Sequence, residues 1–214
     1  MIQQTTPAGA RPPRKQRSMF PLYAILAVCL APVVLATLAY YFPSLGLRPS
    51  GTTNYGTFIK PQRAVPPASA LALTTLDGKP FDLGSLKGKW ILLTADQGAC
   101  PKACVRKLFI LRNAHASQGK DVERLTRVWF VTDDAPIAPD VLKAYGGTHI
   151  VRANPAQLAA FLAPDAGADR QAALRDPMWV VDPLGHLMLR FPANADPTSV
   201  RSDLKKLLRN SQIG

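Results

Sequence analysis

The sequence predicts an α/β protein: a three-layer sandwich, with a mixed sheet flanked by helices, preceded by one transmembrane helix. Three observations predict it. Residues 20–42, "FPLYAILAVCLAPVVLATLAYYF", carry no charge. Two apolar runs of buried-strand type, "WILLTAD" at 90–96 and "RVWFVTD" at 127–133, alternate with stretches of helical length. A strand–turn–strand, "PMWVVDPLGHLMLRFP" at 177–192, then precedes a last helical stretch.

The charge divides along the chain. The net charge is +12, but seven of the 26 Lys/Arg and none of the 14 Asp/Glu fall within residues 1–70. The remainder carries 19 against 14, an ordinary balance for a folded domain. The high basicity is therefore weak support for nucleic-acid binding, and no RNA- or DNA-binding signature accompanies it. Residues 1–18 form a basic tail ("RPPRKQR" at 11–17), and 19–42 a transmembrane helix. At about 1.5 Å per residue that helix covers a hydrocarbon core of roughly 30 Å. Pro32 sits mid-span, and Tyr40, Tyr41 and Phe42 cluster at the far end, where an aromatic belt lies. The basic flank predicts a cytoplasmic N-terminus, with residues 43–214 outside. In a bacterium this is an inner-membrane, single-pass protein with a periplasmic C-terminal domain. A cleaved signal peptide is the rival reading, but the apolar run is longer than such a segment and "LATLAYYF" is a poor cleavage match. Cys29, inside the span, reads as an apolar filler.

Residues 43–69 are rich in Pro, Gly, Ser and Thr and read as a flexible tether. The domain proper is expected at 70–214. "ALALTT" is a short strand, followed by the turns of "LDGKPFDLGSLKGK" and the buried strand 90–96. A helix fits 101–118, with Val105, Leu108, Phe109, Leu111 and His115 near one side. Strand 127–133 follows, then the helix "APDVLKAYG", the strand "HIVRA", and a helix capped by Asn154 with Pro155 at its first position. The hairpin and a helix over 197–210 close the chain. The order is β-β-α-β-α-β-α-β-β-α.

The chemistry concentrates in "ADQGACPKACVRKLFIL", residues 95–111. Cys100 and Cys104 stand where a central strand ends and a helix begins, the position at which open α/β sheets build sites. With Cys100 as cap and Pro101 as first helical residue, Cys104 lies one turn along the same face. Helical Cα atoms at that spacing are about 6 Å apart, within disulfide range. The positive helix end and Lys102 both favour thiolate at Cys100. The pair could be a reactive dithiol, two soft ligands for Cu(I), or a structural staple. A loop closed within one helical turn restrains the unfolded chain little, which argues against the staple.

These residues resemble the Sco/SenC family of membrane-anchored, thioredoxin-like copper and thiol proteins. The shared features are D-G-x-P-F-x-L at the start, the L-x-G-K-W strand, C-P-x-x-C opening the first helix, "RVWFVTDD", and the late D-P-x-G hairpin. The likeness covers about 70–210 and is loose between 135 and 175. It implies a thioredoxin-like domain acting in assembly of the Cu(A) centre of cytochrome c oxidase. The partner implied is oxidase subunit II or another periplasmic redox or copper protein. The action is copper delivery or reduction of the partner's cysteines, through Cys100 and Cys104. The resemblance also implies a supporting role for Pro177, where such folds often place a cis-proline facing the cysteines.

One departure is plain. The family's third copper ligand is a His in a D-H-S stretch; here Leu174 to Asp176 stand there instead. Two sulfurs suit Cu(I) and serve Cu(II) poorly, which shifts the expectation toward a thiol–disulfide reductase or a Cu(I)-only carrier. His186 is a weak candidate for the missing ligand, and His115 and His149 weaker ones. Trp90 and Trp129 are expected in the core; Trp179 is a candidate shield for the cysteines. Lys102, Arg106, Lys107 and Arg112 are expected to give the helix a solvated basic face. The alternative to a redox or copper role is an accessory protein with a permanent Cys100–Cys104 disulfide.

Overall fold

The computed structural model describes residues 18–42, 54–170, 172–175 and 177–214. The basic segment 11–17 and residues 43–53 of the expected tether lie outside the described residues. The chain divides into two units, Met1–Thr52 and Thr53–Gly214. In the first, helix α1 runs Phe20–Tyr41 and takes Pro32 into its interior. None of its residues is buried, and it is long and apolar enough to cross a membrane.

The second unit holds eight strands: β1 (Thr57–Ala64), β2 (Leu73–Thr75), β3 (Pro80–Phe81), β4 (Trp90–Asp96), β5 (Leu125–Val131), β6 (His149–Ala153), β7 (Met178–Val181) and β8 (His186–Phe191). They form one mixed sheet in the order β1-β8-β7-β4-β5-β6-β2-β3. The pairs β4–β5 and β5–β6 are parallel, and the other pairs are antiparallel. The helices are α2 (Lys102–Ala116), α3 (Pro139–Ala144), α4 (Pro155–Leu162), α5 (Ala172–Arg175) and α6 (Pro197–Asn210).

The period-2 alternation of the central strands builds the three layers. Ile91, Leu93 and Ala95 of β4 point to one face, where Leu158, Phe161 and Leu162 of α4 and Leu174 of α5 cover them. Trp90 and Leu92 point to the other, under Ile110, Leu111 and Ala114 of α2 and Val200, Leu204 and Leu208 of α6. The expected sandwich, with its closing hairpin and helix, is the observed one. The caps are local and strong: Asn154 Oδ1 accepts from Ala156 N at 2.9 Å, and Asp196 Oδ2 from Ser199 N at 2.8 Å.

Two elements depart from expectation. Residues 57–64, read as tether, are the edge strand β1, paired antiparallel with β8 through a break in register between Phe58 and Arg63. Pro61, with a cis Lys60–Pro61 bond, and the charged residues around it hide the strand's periodicity. An edge tolerates Pro because one row of backbone groups needs no partner. On α2, Val105 and Phe109 are exposed, whereas Cys104, Lys107, Leu108 and Leu111 are buried. The buried stripe is thus turned from the one expected, and it takes in a lysine.

Candidate functional site

The site lies at the C-terminal ends of β4 and β5. Beyond Asp96 the chain turns sharply, with Cys100 N donating to Gln97 O at 3.1 Å. Gly98 N donates to Asp133 Oδ1 at 2.7 Å, tying the turn to the segment after β5. Only glycine fits there: a Cβ on Gly98 would lie 2.4 Å from Ala135 O. Cys100 then adopts φ 42°, the left-handed region that non-glycine residues rarely occupy, at a cost on the order of 1 kcal/mol. That turn displaces the helix start. Pro101 is the N-cap and Lys102 the first helical residue, one position later than predicted.

Cys100 and Cys104 form a disulfide with Cα atoms 5.0 Å apart. Its two ends differ. Cys104 is 0% exposed, whereas Cys100 keeps 6%. Leu108, Trp129, Val131 and Tyr145 enclose the pair, and Tyr145 OH donates to Val105 O at 3.3 Å. Trp129 is thus the tryptophan against the cysteines. Trp179, the candidate shield, is buried in the cluster on the opposite face of the sheet, because its β7 position pairs with Leu93.

Beneath the first turns of α2 lies a buried ion pair that the sequence reading missed. Lys107 Nζ is 2.9 Å from Asp96 Oδ2 and donates to Ala95 O at 2.9 Å and to the carbonyl of Arg175. Lys107 is therefore not part of the solvated basic face; Lys102, Arg106 and Arg112 are exposed. Its spacing could have revealed it, since position 107 falls within the stripe 104, 108, 111. Asp96 closes a strand buried throughout, so an inward lysine is the partner its charge requires.

The histidines are not brought to the cysteines. The β4–β7–β8 register sets His186 near the row of Ile91, at the end of the sheet opposite Cys100. There its Nδ1 lies 3.5 Å from Asp182 Oδ2. His115 ends α2, three turns from Cys104. His149 opens β6 beside Phe81, and burial, reinforced by Lys89, holds its imidazole below the usual histidine range. Burial lowers His115 as well, with Arg127 adding to it. Among the described residues no group of three His, Cys, Asp or Glu side chains converges. In the stretch where the third copper ligand was sought, Leu174 is buried in the core and Arg175 has its carbonyl held by Lys107. Once the disulfide is reduced, the donor set would be two thiolates, which suit Cu(I) and serve Cu(II) poorly. Pro177 is buried at the start of β7, on the site's end of the sheet, and its carbonyl lies 3.5 Å from Thr94 Oγ1. The Asp176–Pro177 bond lies outside the described residues, because Asp176 does.

The family model described as "Transmembrane-like, thioredoxin-like, C-terminal domain" matches residues 90–211. A search of curated protein sequences finds no match. Solved structures share the fold. Copper-bound yeast Sco1 aligns with a TM-score of 0.50 at 16% identity, covering 75% of this chain and 96% of its own. A putative electron transfer protein from Aquifex aeolicus VF5 aligns with a TM-score of 0.50 at 23% identity, covering 70% and 95%. BsSco, a member of the Sco family of cytochrome c oxidase assembly proteins in which a disulfide switch was identified, aligns at 0.50 and 16% identity, covering 72% and 99%.

Proposed function

The chain belongs to the family of transmembrane-like proteins with a thioredoxin-like C-terminal domain, and from that premise we propose that it is a membrane-tethered thiol–disulfide exchange protein. The observation that carries the reading is the Cys100–Cys104 disulfide at the head of α2, both residues buried but Cys104 completely so and Cys100 6% exposed. In the dithiol form, the Cys100 thiolate attacks one sulfur of a substrate disulfide. That bond breaks, and its electron pair leaves on the other substrate sulfur, which takes up a proton. Cys104 then attacks Cys100 Sγ, closing the internal disulfide and releasing the second substrate thiol. Two electrons pass to the substrate, and a dithiol donor restores the protein. The residual exposure of Cys100 supports its role as attacking thiol, and the complete burial of Cys104 its role as resolving thiol. Lys102 and the helix N-terminus favour the thiolate at Cys100, and Pro177 is kept as a supporting residue on the same end of the sheet.

The compartment proposed is the periplasmic side of a bacterial inner membrane, with α1 as a single-pass anchor and the N-terminus cytoplasmic. The folded domain then begins before β1, with Tyr55 stacked on Phe191 and Gly56 N donating to Asp203 Oδ2 at 2.9 Å, so the proposed tether loses its residues from 54 onward. The partner proposed is a copper protein with a cysteine pair, such as oxidase subunit II during Cu(A) assembly. The shared fold with BsSco and with copper-bound yeast Sco1 supports that choice as analogy. A second reading is a Cu(I) carrier, favoured by two soft sulfurs one turn apart.

The test is a redox titration of the full-length protein in detergent, read by alkylation of freed thiols. Half-reduction above about −300 mV is expected of a working pair. A lower value leaves the pair a permanent staple and removes the reading. Cu(I) titration of the reduced protein against a chelator of known affinity, with Cys100→Ser as control, decides the carrier reading.

A further inference from the structure

The flank of α2 turned away from the Trp129 cluster borders a cleft of about 250 Å³, lined by Lys102, Arg106, Lys107, Ile110, Arg175 and Asn194. Among the described residues no carboxylate lines it. Lys107 is neutralised by Asp96 and, through the Arg175 carbonyl, ties the end of α5 against α2. Lys102, Arg106 and Arg175 are exposed residues of the cleft's lining. Asp196, the N-cap of α6, feels Arg106 only weakly, its lowered pKa being due first to its hydrogen bonds with Ser199. Its Oδ2 is already committed to Ser199 N and Oγ, each at 2.8 Å. The cleft also touches Ala103, which with Lys102 lies between the two cysteines in the chain, so the loop closed by the disulfide forms part of its wall. Pro101 provides no side-chain cap for the helix start, which leaves its positive end to add to the same field.

We propose that this cleft receives a carboxylate of the exchange substrate, so that the Cys100–Cys104 centre selects cysteine-containing substrates with an acidic group beside the reacting sulfur. The proposal rests on the exchange reading above. A carboxylate placed among Lys102, Arg106 and Arg175 is attracted by three cations and met by no described acid on the cleft wall. Its chain then approaches Cys100, the less completely buried cysteine of the pair.

The test opens the disulfide of the full-length protein, in neutral detergent at low ionic strength, with three small thiols: 3-mercaptopropionate, 2-mercaptoethanol and cysteamine. One thiolate attacks Cys100 Sγ and releases the Cys104 thiolate. A second attacks the mixed disulfide, releases the Cys100 thiolate and leaves as the reagent's own disulfide. Alkylation and mass spectrometry count three modified cysteines after opening, against Cys29 alone before. Rates are taken per thiolate and divided by those of the same thiols with 2-hydroxyethyl disulfide. The anionic thiol is expected to exceed the cationic one by about ten-fold, a gap that closes in 0.5 M salt. The double variant R106Q/R175Q is expected to bring the ratio near unity, while K205Q/R209Q, on α6 away from the cleft, keeps it. Equal normalised rates in the parent protein overturn the proposal and leave the exchange reading standing. A ratio lost equally in K205Q/R209Q overturns it too, because the field is then general. Failure of every thiol to open the bond overturns both.

Discussion

Lys107 Nζ lies 2.9 Å from Asp96 Oδ2, with both side chains 4% exposed. The pair bridges the end of β4 and the second turn of α2, the two elements that frame the cysteines. It also fixes the Arg175 carbonyl, so three segments of the site meet at one ammonium. Removing one partner leaves a buried charge without compensation. Lys107→Met or Asp96→Leu should each lower unfolding free energy by about 3–5 kcal/mol. The double variant Asp96→Leu/Lys107→Met should cost much less than the two added together. Urea denaturation of the four proteins checks this; simple additivity would show that the groups do not act as a pair.

Gly98 is fixed by space. Its missing Cβ would stand 2.4 Å from Ala135 O, a backbone atom that cannot swing aside. Gly98→Ala should destabilise the domain by about 1–3 kcal/mol and push the turn outward. The Cys100–Cys104 bond should then open several-fold faster with a neutral thiol. Thermal melting and alkylation kinetics read the two effects on one sample.

The unequal burial of the two sulfurs predicts unequal single variants. Cys104→Ser leaves Cys100, the less completely buried of the two, and should accumulate a stable mixed disulfide with oxidised glutathione. Cys100→Ser leaves only the buried Cys104, which should react at least ten-fold more slowly. Intact-mass spectrometry follows both, and equal labelling would remove the assignment of attacking and resolving roles.

His149 carries a pH dependence. Partial desolvation, with Lys89 adding to it, favours its neutral form in the folded protein although the residue stays largely exposed, so its pKa lies below the usual 6.5 and the effect is small. The unfolded chain takes up the proton first as pH falls. The stability contributed by the neutral ring is therefore complete above about pH 6.5 and is lost as pH drops through the lower folded-state value. Melting temperature should fall over that window, and His149→Gln should flatten the fall. His115, lowered for the same first reason, should contribute with the same sign.

The burial of the cysteine pair under Trp129 predicts an optical signal. A disulfide quenches neighbouring indole emission, so reduction should raise fluorescence, and Trp129→Phe should remove most of the rise while Trp179→Phe does not. An unchanged signal in Trp129→Phe would contradict the packing of that cluster.

The sequence by itself determined what is written in local pattern. The apolar run of α1, the buried strands β4 and β5, the Asn154 cap, the hairpin turn and the seat of Cys100 between strand and helix all follow from residues near in the chain. They were legible because propensity, periodicity and capping act over a few residues. Only the tertiary structure decided the rest, because it depends on partners distant in sequence. β1 becomes a strand because β8 offers it an edge, against its own composition. Trp129 rather than Trp179 meets the cysteines because the sheet's faces are set by register. His186 is carried to the far end of the sheet by the antiparallel turn that made it look close. Lys107 turns inward because Asp96 waits there, and a charge enters a core only where its opposite is already in place.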